Sequence, residues 1–201
     1  MSRTLFVVPL ILGVFFYAGC ASTKVTRSQV AKPIDLSGQW NDTDSRQVAE
    51  EVIQDCLKHP WIGEFNKTSG RDPVVIVGTV LNRSHEHINA QVFVKELERS
   101  LLNSGKVKFV ASSQERQELR QEREDQQAGH TDSSTISPKG LESGADFMLK
   151  GSINSIKDEL KGKYVILYQV NLELIDLKTN QKLWIGQKEI KKLVERRSFG
   201  F

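Results

Sequence analysis

The apolar positions of this 201-residue chain change period several times, and each change marks an element. Leu5 to Tyr17 is apolar apart from Pro9 and Gly13. That block is too short to cross a bilayer, and with Arg3 ahead of it has the length and flank of a secretory signal. From Ala21 to Ile34 apolar residues are sparse, the composition of a flexible tether. Asn41 or Asp42 then caps a helix whose stripe is Val48, Ala49, Val52, Ile53, Cys56 and Leu57, and His59-Pro60 stops it. Trp61, Ile62 and Phe65 form a short apolar segment before a loop with Gly70 and Pro73. Val74 to Leu81 is a β-branched run without alternation, which predicts a central strand covered on both faces. A second helix starts at Asn89, carries Phe93, Leu97 and Leu101 at fourfold spacing, and ends at Asn103-Ser104-Gly105. Val107, Phe109 and Ala111 alternate as a strand does.

Between Ser112 and Gln127 the pattern is polar and helix-prone, with Leu119 as its lone large apolar side chain, so this helix buries little. Ala128 to Ser137 reads as a loop, and Pro138 as the start of a short helix that Gly144 ends. The last third alternates with period two. Phe147, Leu149, Ile153 and Ile156 form one strand; Ile166, Tyr168, Val170, Leu172 and Leu174 face one way from the next; Leu183, Ile185 and Ile190 belong to a third. Lys161-Gly162-Lys163 and Lys178-Thr179-Asn180-Gln181 supply the turns. The expected class is α/β (α+β): helices packed on one mixed sheet that ends in an antiparallel meander.

Charge and cysteine usage narrow the setting. Removing residues 1–19, whose only charge is Arg3, takes the formal net charge from +3 to +2, too mild a bias for a nucleic-acid partner. Phe16-Tyr17-Ala18-Gly19-Cys20 resembles the lipobox of bacterial lipoproteins, with cleavage between Gly19 and Cys20 and acylation of Cys20. Ala21 after the cysteine, where Asp would retain the protein in the inner membrane, implies the outer membrane of a two-membrane bacterium. The expected organisation is a signal peptide over 1–19, a lipidated tether over 20–34 and one globular domain over 35–201. The second cysteine, Cys56, sits in the apolar row of its helix and is expected to be a buried thiol without a disulfide partner.

Candidate chemistry is thin. His85 and His87, two apart, would share one face of a strand with Glu86 pointing away and could supply two metal ligands. Two such residues on a segment ending a strand are far more often solvent-exposed than metal-bound. Cys56 and His59 have a thiol-and-base spacing but no third group to orient them. Neither a phosphate-binding glycine loop nor a Gly-x-Ser-x-Gly elbow is present. The pattern argues against an enzyme and implies no metal and no cofactor.

Asp35-Leu36-Ser37-Gly38-Gln39-Trp40-Asn41-Asp42-Thr43-Asp44-Ser45-Arg46 resembles the opening block of the LpoB family of outer-membrane lipoproteins. Pro73 to Val80, Glu118 to Arg123, Gly144 to Gly151 and Ile190-Lys191-Lys192 resemble further blocks of that family, in order. The resemblance implies a fold similar to the amino-terminal domain of TolB. It also implies a non-catalytic activator facing the periplasm, which binds a class A penicillin-binding protein and stimulates its glycan polymerisation and crosslinking. Arg116, Arg120 and Arg123 recur at helical spacing: they belong to a solvated charged face or, on that reading, form a row of forked donors that pair with carboxylates of the synthase. A structural or assembly lipoprotein similar to the curli secretion-channel subunit, and a metal-dependent periplasmic enzyme, are the alternatives.

Overall fold

A computed structural model describes residues 25–29, 32–160 and 162–195; Gly19 and Cys20 lie outside the described residues. Contacts divide the chain into two units, Met1–Lys32 and Pro33–Phe201. In the first, Val25 to Gln29 is exposed and has no regular structure.

The second unit's first helix, α1 (Asp42–Lys58), is set by a reciprocal cap in which the Asp44 amide donates to Asn41 Oδ1 at 3.1 Å and the Asn41 amide to Asp44 Oδ2 at 2.9 Å. Two orphan donors are thereby satisfied, and Asp42 and Asp44 sit at the positive end of the helix. Val48, Ala49, Val52, Ile53 and Cys56 are all buried, as their spacing predicts. The segment after Pro60 is itself helical: α2 (Trp61–Ser69) begins where the ring of Pro60 fixes a helical φ of −67° and ends at left-handed Gly70. Trp61 Nε1 donates to the Cys56 carbonyl at 2.8 Å, and Trp61 and Phe65 both meet Phe147 edge-on.

The sheet has order β2-β1-β3-β4-β5. β1 (Val74–Arg83) lies parallel to β2 (Lys108–Phe109) and β3 (Phe147–Leu160). β3, β4 (Lys163–Asp176) and β5 (Lys182–Glu195) form the antiparallel meander. α1 and α3 (Ala90–Asn103) pack together on one face, where Val75, Val77, Phe93, Leu97, Leu149, Ile153, Val170 and Leu172 join α1 in a common core. Burying each such side chain contributes about 1.5–3 kcal/mol, which fixes the face each strand presents. Val74 and Ile76, also buried, are outside that core cluster and alternate with Val75 and Val77, so both faces of β1 are covered as its apolar run requires.

Two sequence expectations need correction. Val107, Phe109 and Ala111 yield only a two-residue strand, because β2 pairs with β1 at Val74 and Val75 alone. Residues 138–144 contain a turn and no helix: Gly140 has φ +82° and Leu141 is 77 % exposed, so there is neither a helical backbone nor an apolar face to dock. β5 holds Leu183, Ile185 and Ile190 as expected; Trp184 is buried on it, while Ile185 is 62 % exposed. The register slips between Leu174, opposite Trp184, and Ile175, opposite Lys182, so Leu183 is one extra residue on β5.

Candidate partner-binding surface

Helix α4 (Ser113–Asp125) carries the three arginines singled out by their spacing, and none of its residues is buried. Polar bonds hold it. Ser112 and Glu115 form a second reciprocal cap, and Lys95 of α3 donates to Glu115 Oε1 at 2.7 Å as well as to Glu98. Lys95, followed by the Ser112 contacts, pulls the Glu115 carboxyl down to about 2. Arg116 Nη1 reaches back to the Ala111 carbonyl at 2.7 Å. Arg120 and Arg123, one turn further on, converge on a single carboxylate from outside the helix.

That carboxylate is Glu142. Arg120 donates through Nε to Oε1 at 3.0 Å and through Nη2 to Oε2 at 2.8 Å, and Arg123 Nη1 adds a bond to Oε1 at 2.6 Å. The two guanidinium groups, Arg120 first, draw the Glu142 carboxyl down to about 2. Two cavities of about 350 Å³ flank the contact, one reaching Lys139 and Gly140, the other Ile76, Met148 and Leu177. The arginine row is therefore brought together as the helical spacing implies, but two of its members already hold an internal acid. Nothing in the local sequence signals Glu142, since it lies in an irregular segment 22 residues from Arg120.

The other candidates fall elsewhere. β1 ends at Arg83, so His85 and His87 follow the strand and do not share a strand face. His85 Nδ1 lies 2.7 Å from Ser155 Oγ. Glu86 points inward: it accepts from the Trp40 amide at 3.1 Å and from the Tyr168 hydroxyl at 2.5 Å. Burial, and then the adjacent Glu86, push the Tyr168 phenol above its ordinary range. Among the described residues, no group of three or more His, Cys, Asp or Glu is placed to hold a metal ion. Burial pushes the Cys56 thiol up to about 12, which disfavours the thiolate, while His59 is exposed at the end of α1.

Lys192 of β5, whose side chain is 12 % exposed, pairs with Asp44 Oδ2 at 2.6 Å and also donates to Asp35 Oδ1 at 2.8 Å and the Gln39 carbonyl at 3.1 Å. Desolvation alone would lower the Lys192 pKa, but Asp35 and Asp44 outweigh it and leave it raised. The Asp35–Arg46 block is thus built into the fold, whereas α4 buries none of its residues.

Taken together, these features define a helix-covered mixed-sheet domain carrying an arginine-bearing helix on its surface. Residues 44–190 match the family described as peptidoglycan-synthase activator LpoB, and the chain belongs to that family. No curated protein matches the sequence. Among solved structures, the LpoB C-terminal domain from Salmonella enterica is 17 % identical with a TM-score of 0.42, covering 74 % of this chain and 99 % of that one. The NMR structure of Escherichia coli LpoB is 16 % identical with a TM-score of 0.42, over 89 % of this chain and 86 % of that chain. Lipoprotein GNA1162 from Neisseria meningitidis is 12 % identical with a TM-score of 0.39, over 64 % and 88 % respectively.

Proposed function

We propose that this chain is an outer-membrane lipoprotein, cleaved after Gly19 and acylated on Cys20, that binds a class A penicillin-binding protein from the periplasmic side. Its domain, residues 35–201, acts without chemistry of its own: it stimulates the synthase's glycan polymerisation and crosslinking and so regulates cell-wall growth and shape. The observation that carries the reading is membership of a peptidoglycan-synthase activator family over residues 44–190. The surface that supports it is α4, where Arg116, Arg120 and Arg123 stand on a helix free of core duties. Arginine is enriched among interface hot spots because its planar fork matches a carboxylate bidentately.

The test is titration of a purified class A synthase, following both binding and glycan polymerisation at fixed salt. Arg120→Glu with Arg123→Glu is expected to weaken stimulation at least about tenfold, equivalent to about 1.4 kcal/mol. Thermal stability should hardly move, since exposed ion pairs contribute little to folding. Full stimulation by the folded double variant would remove α4 from the interface. Anchoring is checked separately by fatty-acid labelling, which Cys20→Ser should abolish along with membrane fractionation.

A further inference from the structure

Glu142 occupies a position better suited to a ligand than to a structural acid. Its carboxylate takes the two-pronged bond from Arg120 and the third bond from Arg123, the geometry in which a guanidinium fork recognises a planar acid. Lys139 borders the same cavity of about 350 Å³, and Glu124 is the only other acid lining it. Three cations against two carboxylates leave one positive charge in excess (3 − 2 = 1), even with Glu142 in place. By its lining alone, the cavity therefore favours a second carboxylate.

Little holds Glu142 there beyond the clasp itself. The Arg120 side chain is 55 % exposed, and an ion pair so open to water contributes little to folding. Residues 141–145 are in neither helix nor strand, and the Glu142 segment is bounded by Gly140 and Gly144. Leu141 beside it is exposed, and Leu119, one helical turn before Arg123, is 47 % exposed. An incoming protein surface finds both an acid receptor and apolar side chains to cover.

We propose that this cavity is a carboxylate receptor which the chain fills with its own Glu142, and that an Asp or Glu side chain of the synthase takes Glu142's place on the Arg120–Arg123 fork on binding. The proposal rests on the reading of α4 as the partner face and adds the partner's chemistry and the internal competitor it displaces. Because the competitor belongs to the same chain, its effective concentration is high and it taxes the affinity of any external acid. Removing its charge lifts that tax.

Glu142→Gln in the full mature chain is expected to bind the synthase at least threefold more tightly, and adding Arg120→Gln and Arg123→Gln is expected to abolish the gain. Glu142→Asp, which keeps the charge but shortens the reach, should move affinity in the same direction. A probe without the synthase decides the cavity on its own: glutarate added to isotope-labelled protein should shift the Arg120 and Arg123 Nε–Hε resonances. Saturation should need at least tenfold less glutarate in Glu142→Gln than in the wild type. Equal or weaker synthase binding by a folded Glu142→Gln variant would overturn the exchange, as would glutarate that shifts neither guanidinium. A synthase that fails to bind the wild type would instead overturn the partner reading, with the glutarate titration still ruling on the receptor.

Discussion

Gly151 and Gly186 sit in facing regions of the meander and lack side chains for different reasons. A Cβ at Gly151 would stand 2.0 Å from the Asn171 carbonyl oxygen, a backbone atom of the paired strand. At Gly186 the nearest atoms belong to the Trp184 indole, which lies over the glycine and donates through Nε1 to Asp55 Oδ2 at 3.0 Å. A side-chain obstacle can turn aside, whereas a ladder oxygen cannot without breaking pairing. Gly151→Ala is therefore expected to cost about 2 kcal/mol or more, read as a lower urea midpoint at unchanged slope, and Gly186→Ala less. The opposite order would mean that the indole is pinned harder than the strand. Cys56 gives a second residue-scale test, being fully buried with its thiol at about 12. Thiol reagents should modify it only as fast as the domain opens, and Cys56→Ala should cost on the order of 1 kcal/mol with partner binding intact. Rapid labelling of the native protein would contradict the burial.

At the scale of elements, α4 differs from α1 and α3 in what keeps it in place, and acid should separate them. Glu115 and Glu142 both titrate at about 2 against an ordinary 4.5, held down by Lys95 and by Arg120 with Arg123. A depressed carboxyl pKa contributes stability that is complete above the ordinary value and is lost as pH falls toward the folded one. Between about 4.5 and about 2, then, α4 should lose amide-exchange protection before β3 and β4 do. Loss of protection in all three at one pH would show that α4 belongs to the cooperative core. The same contrast explains what the sequence could reveal. α1, α3 and the meander were legible because burial imposes a period on apolar side chains, β1 because burial on both faces leaves a continuous β-branched run, and the polar helix because its residues are helix-prone. The slip at Leu183 was hidden because one extra residue in β5 leaves composition unchanged. The site was half legible. Its arginines follow a helical repeat, but the acid they grip comes from a segment with no period, and a lone Glu among polar residues carries no sign of a bond formed 19 and 22 positions away.

The unit Pro33–Phe201 is closed by its entering segment, which grips β5 through Lys192. Asp35 accepts from both Asn41 Nδ2 and Lys192 Nζ; Tyr164 donates its hydroxyl to the Ser37 carbonyl; and Trp40 bonds Ser45 through its indole and Glu86 through its amide. Its ring also meets Phe93 and Tyr168 edge-on at 6.2 and 5.4 Å, so one residue joins the entering segment to α3 and β4. These contacts account for the Asp35–Arg46 string as a fastening between positions up to 157 residues apart. They also make the proposed boundary at Asp35 testable. A protein beginning at Pro33 keeps every one of these bonds and should unfold at the same urea concentration as the full mature chain. One beginning at Asn41 loses Trp40 and the Asp35 partner of Lys192, and leaves the inward carboxylate of Glu86 without the Trp40 amide. Deleting a packed Trp side chain costs about 3–5 kcal/mol, and an orphaned polar group adds about 1–3 kcal/mol, so the shorter protein should be at least about 3 kcal/mol less stable. Adding back a peptide of residues 33–40 in excess should restore part of the loss, because whatever binds only the folded state stabilises it by mass action. Equal midpoints for the two truncated proteins would show that the fastening is ornamental and that the domain starts at α1.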